Sequence, residues 1–135
     1  MTLVDTNVLL DLATGDSQWF EWSLRTLEDE AVKGPLCINV IIYAELSARY
    51  DSIEAVDDFV QRMGAQIIEI PRAAAFLAAK AFGRYRSAGG IRTGVLSDFF
   101  IGAHAAALDI PVLTRDARRY RTYFPGLRLI APQLN

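Results

Sequence analysis

Thr2-Leu3-Val4-Asp5-Thr6-Asn7-Val8-Leu9-Leu10-Asp11-Leu12 carries a short apolar run, a polar break, and then apolar positions at helical spacing. Leu3-Val4 reads as a buried strand, and Val8, Leu9 and Leu12 read as one face of a helix. The acid between them therefore sits where a strand ends and a helix begins. Further along, Leu36-Cys37-Ile38, Ile67-Ile68 and Val112-Leu113 repeat the short apolar run, with longer helical stretches between them. Strands alternating with helices predict an α/β fold on a mainly parallel sheet. Ser17 to Val32 reads as an amphipathic helix stopped by Gly34-Pro35. Ala74, Leu77, Ala78, Ala81, Phe82 and Tyr85 mark a second helix, with Gly89-Gly90 as a loop beside a site. Residues 1–135 are expected to form one domain, with no internal repeat or linker.

The apolar fraction of 52% can build a core. No apolar stretch approaches the roughly 20 residues that span a bilayer. The start has an acid at Asp5 and neither the basic residues nor the cleavage site of a signal peptide, so a cytoplasmic protein without a membrane segment is expected. Cys37, the only cysteine, lies in an apolar run and reads as a small buried hydrophobe. That leaves neither a disulfide framework nor a zinc site. Net charge is -2, but residues 1–79 hold 13 acids against 5 bases and residues 80–135 hold 3 acids against 9 bases. Eight of those nine bases are arginines, whose planar fork suits phosphate. Such a half serves either as a nucleic-acid surface or simply as a solvated one.

Four acids occupy telling positions. Asp5 follows the first strand at the edge where parallel sheets bind ligands, although an acid there also caps a helix. Glu45 stands in Val40-Ile41-Ile42-Tyr43-Ala44-Glu45-Leu46, so apolar a run that its carboxylate needs either a metal or a partner, and Arg49 four residues on offers a helical ion pair. Asp98 follows Ser97, the natural cap, and would gain about 0.3 to 1 kcal/mol from the helix dipole in a first turn. Asp116 ends the run from Pro111 and also has an N-cap reading. Three strand-to-helix transitions and one apolar helix all carrying acids make coincidence the weaker account.

Four converging carboxylates repel one another and lose hydration, a conflict that a hard divalent cation such as Mg²⁺ or Mn²⁺ removes. His104, the only histidine, lies about 240° around a helix from Asp98 and is read as structural or exposed. A hydrolase built on a catalytic histidine is thereby disfavoured.

Val4-Asp5-Thr6-Asn7, Tyr43-Ala44-Glu45-Leu46, the run from Ser97-Asp98-Phe99-Phe100 to Ala105, and Leu113-Thr114-Arg115-Asp116 resemble, in order and spacing, the motifs of PIN-domain ribonucleases. The ending from Tyr123 to Ile130 is similar to that of VapC-type toxins in type II toxin-antitoxin pairs. Gly102 stands where many relatives carry alanine, a change expected to loosen the helix. The resemblance implies a three-layer α/β/α fold, a homodimer, one or two Mg²⁺ or Mn²⁺ ions, and cleavage of single-stranded or looped RNA. It also implies a cognate VapB-like antitoxin. By the same resemblance Asp5, Asp98, Glu45 and Asp116 are the metal-binding and catalytic acids, and Thr6, Asn7 and Thr114 orient them. Arg84, Arg86, Arg92, Arg118 and Arg119 are candidates to hold RNA. The alternatives are a DNA or structure-specific nuclease on the same scaffold and a catalytically silent binding module.

Overall fold

A computed structural model describes residues 1–92 and 94–133. In chain order it contains β1 (Thr2–Val4), α1 (Thr6–Thr14), α2 (Phe20–Lys33), β2 (Leu36–Ile38), α3 (Val40–Ser47), α4 (Ile53–Arg62) and β3 (Ala65–Ile67). There follow α5 (Arg72–Ser87), α6 (Leu96–Leu108), β4 (Val112–Leu113), α7 (Arg118–Tyr123) and β5 (Leu129–Ile130). The five strands form one sheet in the order β3-β2-β1-β4-β5, and every described pairing is parallel. The expected mainly parallel sheet is thus wholly parallel among the described residues.

Parallel strands need crossover helices, and such crossovers are right-handed, which puts α1 to α4 over one face and α5 to α7 over the other. Covered on both faces, the central strands must be apolar on both. Leu3, Val4, Cys37, Ile38, Val112 and Leu113 are accordingly all fully buried. Truncating one of them, Ile38→Ala for example, would cost about 2 to 5 kcal/mol. The Cys37 thiol is the small buried hydrophobe expected, and burial pushes its pKa up to about 11.

The chain leaves β1 toward β2 and leaves β4 toward β5, in opposite directions across the sheet. β1 and β4 are neighbours, so their carboxyl ends form the switch point where open sheets of this kind bind ligands. Asp5 and Thr114 lie one residue beyond these strands.

Several boundaries differ from the sequence reading. α2 begins at Phe20, not Ser17, because the Asp16 carboxylate accepts from the backbone N–H groups of Gln18 and Trp19 and holds a turn there. The third strand is Ala65–Ile67, an edge strand with Ile67 exposed. α4 and β5 were not foreseen, and the helix expected after Asp116 is the short α7. No helix among the described residues is long and apolar enough to cross a membrane.

Candidate active site

Asp5 is the N-cap of α1, and its Oδ1 accepts from the Thr6 N–H at 2.7 Å. Its Oδ2 accepts from the Thr114 hydroxyl at 2.8 Å and the Tyr120 hydroxyl at 2.9 Å, with Asn7 Nδ2 at 3.4 Å. Having given its proton to the charged acceptor, the Thr114 oxygen accepts from Asn7 Nδ2 and the Asp116 N–H. The capping role and the site role are therefore not rivals, since one carboxylate fills both. Burial pushes the Asp5 pKa up to about 6 against the lowering effect of its donors, and the charge of Asp98 adds to the rise.

Glu45 is exposed on α3, so its apolar neighbours do not bury it as expected. Val40 and Ala44 are exposed as well, and Ile42 and Leu46 are the buried residues of this helix, with Tyr43 packed half-buried against the core. Nor does Arg49 pair with it. α3 ends at Ser47, which takes Arg49 off the helical spacing that an acid-base pair four residues apart requires. Glu45 instead accepts from the Thr6 hydroxyl at 2.6 Å and the Ser97 hydroxyl at 3.2 Å.

Asp98 lies in the first turn of α6, but Ser97 is not the cap: the helix starts at Leu96 and no side chain caps it. Ser97 is thereby free to reach Glu45. Asp98 forms an ion pair with Arg119 of α7. Its pKa is nevertheless raised, chiefly by burial and further by the charges of Glu45 and Asp116, with Arg119 pulling the other way. Asp116 is exposed at the head of the β4–α7 turn, and its Oδ1 accepts from the Arg118 N–H at 3.4 Å. The helix cap is Ala117.

Thr6 joins Asp5 to Glu45, Thr114 joins Asp5 to the Asp116 backbone, and Asp98 feels the charges of Glu45 and Asp116 while it pairs with Arg119, so the four acids lie around the switch point. Among the described residues no three His, Cys, Asp or Glu side chains are gathered as a ready-made metal cage. The donor set is all oxygen, and two of its acids resist ionisation through burial and mutual repulsion. Mg²⁺ needs only one or two direct carboxylates and keeps several waters, so these residues fit such an ion without closing into a cage.

The family model for the PIN domain matches residues 2–125. The chain belongs to the PIN-domain family. PIN domains are nucleases, so the acid cluster lies in an enzyme family whose chemistry is phosphodiester hydrolysis. The same fold is found in VapBC2 from Rickettsia felis bound to a DNA fragment from their promoter, with a TM-score of 0.75 and 18% identity over 98% of each chain. It is also found in DNA-bound VapBC from Salmonella typhimurium, at 0.71 and 18% identity over 96% of each chain. A toxin-antitoxin complex from Klebsiella pneumoniae gives 0.71 and 21% identity over 98% of each chain. Comparison with curated proteins gives no match.

In this PIN domain Thr6 serves Glu45, while Asn7 and Thr114 serve Asp5. His104 is fully buried, with Asn39 Nδ2 at 3.1 Å from its Nδ1, and burial lowers its pKa. The five candidate arginines do not gather together. Arg84 donates to the Tyr123 carbonyl at 3.4 Å and Arg86 lies 6.0 Å from the Phe82 ring centre, whereas Arg92, Arg118 and Arg119 surround one pocket with Asp116.

Three contributors were not foreseen. Tyr120 reaches Asp5 only because α7 folds back over the switch point, which no local pattern announces. Ser97 was read as a cap. Asp11, buried on α1, holds Arg115 through both carboxylate oxygens and accepts from Ser23 at 2.7 Å. Arg115 thereby anchors the turn that carries Thr114 and Asp116. An acid inside Val8-Leu9-Leu10-Asp11-Leu12 was the available signal.

Proposed function

We propose that this PIN domain, acting as one unit over residues 1–135, is a Mg²⁺- or Mn²⁺-dependent endoribonuclease and the toxin of a VapBC-type pair. The observation that carries the reading is the meeting of Asp5, Glu45, Asp98 and Asp116 at the β1/β4 switch point, with two of the acids held against ionisation. Asp5 and Asp98 would hold one or two ions directly, with Glu45 and Asp116 bound directly or through water. A bound divalent ion supplies Lewis-acid polarisation of the phosphodiester and a lowered water pKa.

The chain's own residues do the rest. Thr114, Asn7 and Tyr120 fix the orientation of Asp5, and Thr6 with Ser97 fixes Glu45, so both carboxylates stay aimed without rearrangement during reaction. Arg119, beside Asp98, is placed to neutralise charge on the phosphate oxygens. Single-stranded or looped RNA is the substrate, and the fold shared with chains of toxin-antitoxin complexes supports a VapB-like antitoxin as the partner that holds it in check; the same reading makes the protein a cytoplasmic homodimer.

The test is cleavage of labelled single-stranded RNA, single-stranded DNA and duplex DNA with Mg²⁺, with Mn²⁺ and with EDTA. RNA should be cut only with the divalent ion, and Asp5→Asn and Asp98→Asn should each be inactive while folded. Preferential DNA cleavage would favour the DNA nuclease alternative. Activity in both variants would remove the acids from the chemistry.

A further inference from the structure

Most arginines in the basic half already have partners. Arg115 is bound to Asp11, Arg128 to the Asp109 carbonyl, Arg84 to the Tyr123 carbonyl, and Arg86 lies against Phe82. Arg92 and Arg118 differ. Their hydrogen bonds among the described residues are made by the backbone alone: the Arg92 N–H donates to the Tyr85 hydroxyl, and the Arg118 N–H donates to Asp116 while its carbonyl accepts from Thr122. Both residues line a surface pocket of about 340 Å³, together with Arg119, Asp116, Thr122 and Tyr123. Arg119 gives Nη1 to Asp98, so one wall of this pocket is continuous with the acid cluster.

Formal charge in the pocket is three positive to one negative. Two arginines whose side chains have no hydrogen-bond or ion-pair partner among the described residues, lining one concavity, favour an anion whose oxygens accept fork-shaped donation, which describes a phosphate. Asp116 disfavours the anion at its own end of the pocket. The Thr122 hydroxyl is already given to the Arg118 carbonyl, so Thr122 shapes the wall without donating.

We propose that this pocket is a second phosphate subsite, which holds the phosphate of the nucleotide next to the scissile bond. Its place beside the acids rests on the nuclease reading above. It deepens that reading by selecting Arg92, Arg118 and Arg119 from the five arginines and by stating what they bind. A good minimal substrate then carries two phosphates, one to be cut and one to be held.

The experiment titrates uridine, uridine 5′-monophosphate and uridine 3′,5′-bisphosphate into the full chain in EDTA, by calorimetry. The phosphorylated nucleosides should bind and uridine should not. The pair Arg92→Gln and Arg118→Gln should weaken binding at least roughly tenfold, as expected for lost hydrogen bonds to a charged group. The control pair Arg84→Gln and Arg86→Gln should stay within about twofold. Kinetics with Mn²⁺ give a second readout: terminal phosphates on a dinucleotide should lower KM for the parent, and that advantage should vanish in the pocket variant.

Equal losses in the two variant pairs, or uridine binding as well as its phosphates, would overturn the subsite. So would a hexaglutamate peptide that binds through Arg92 and Arg118 when the bisphosphate does not, since the pocket would then serve a protein partner. The two readings also fail separately. RNA cleavage without nucleotide binding overturns the subsite alone, whereas nucleotide binding without any cleavage overturns the nuclease reading and leaves the phosphate pocket standing.

Discussion

Asp5 is a carboxylate that the folded chain buries while supplying several neutral donors, and its pKa of about 6 says that burial outweighs them. A folded pKa above the unfolded 3.8 means that ionisation costs stability. The penalty is absent below pH 3.8, grows through about 6 and is complete above it. In EDTA at pH 7.5, Asp5→Asn should therefore raise stability by up to about 3 kcal/mol, and the gain should shrink toward pH 4. Thermal melts of both proteins at the two pH values check this, and a variant that melts lower at pH 7.5 would make Asp5 a structural cap first. Glu45 permits a sharper contrast. With no helical pair to lose, Arg49→Ala should change stability by no more than about 0.5 kcal/mol and leave cleavage intact, whereas Glu45→Gln should nearly abolish cleavage. Equal, mild effects would remove Glu45 from the site. The acids themselves were legible because each stands at a strand end or in an apolar run. Of their partners, Thr114 was named only through the family resemblance and Tyr120 not at all, since both meet Asp5 across more than 100 positions of chain.

α6 and α7 cross so closely at Gly102 that a methyl group there would come within 2.6 Å of the Phe124 ring and 3.1 Å of Tyr120. The sequence presents this glycine as a loosened helix, but the structure makes it the point of closest approach. Gly102→Ala gains about 1 kcal/mol of helix propensity and loses about 1 to 3 kcal/mol to overpacking. The net effect should be destabilising. Because Tyr120 also holds Asp5, cleavage should fall more than stability alone explains, and unchanged kcat in a folded variant would sever that link. A second contact couples elements through His104 on α6 and Asn39, the cap of α3. Burial lowers the His104 pKa, so the folded state resists a proton that the unfolded chain accepts, and the His104 contribution to stability falls as pH drops below about 6.5, opposite in sign to that of Asp5. His104→Gln should flatten that part of the stability-pH curve. The strands β1, β2 and β4 were readable because burial on both faces demands continuous apolar runs. β5 has only two residues and is a strand because β4 pairs with it, so it carries too little pattern of its own, and α7, a helix of 6 residues of which half are arginine, shows no apolar periodicity that would fix its extent.

Across the whole molecule, the acids of the first half and the acids of the second half come from opposite ends of the sequence and meet at one sheet edge. The cluster therefore exists only in the folded chain, as Asp5 and Glu45 precede β3 while Asp98 and Asp116 follow it. The strand order β3-β2-β1-β4-β5 is what joins them, because it sets β1 beside β4. A ligand that needs both halves binds the native state alone and stabilises it by mass action. At an ion concentration about 100-fold above Kd, one site contributes about 2.7 kcal/mol. For a domain of this length that corresponds to a rise in Tm of roughly 10 °C. Mn²⁺ or Mg²⁺ should therefore raise the melting temperature of the parent in a concentration-dependent way that EDTA reverses. Asp5→Asn and Asp98→Asn should lose most of that rise, each having lost a ligand from a different half of the chain, while Arg49→Ala should keep it. Asp5→Asn should then show a crossing pattern, melting above the parent in EDTA and below it at saturating Mn²⁺, because the substitution removes both the repulsion and the ion that relieves it. Parallel melting curves for the parent and both variants, with the ion and without it, would mean that the acid cluster takes no divalent cation.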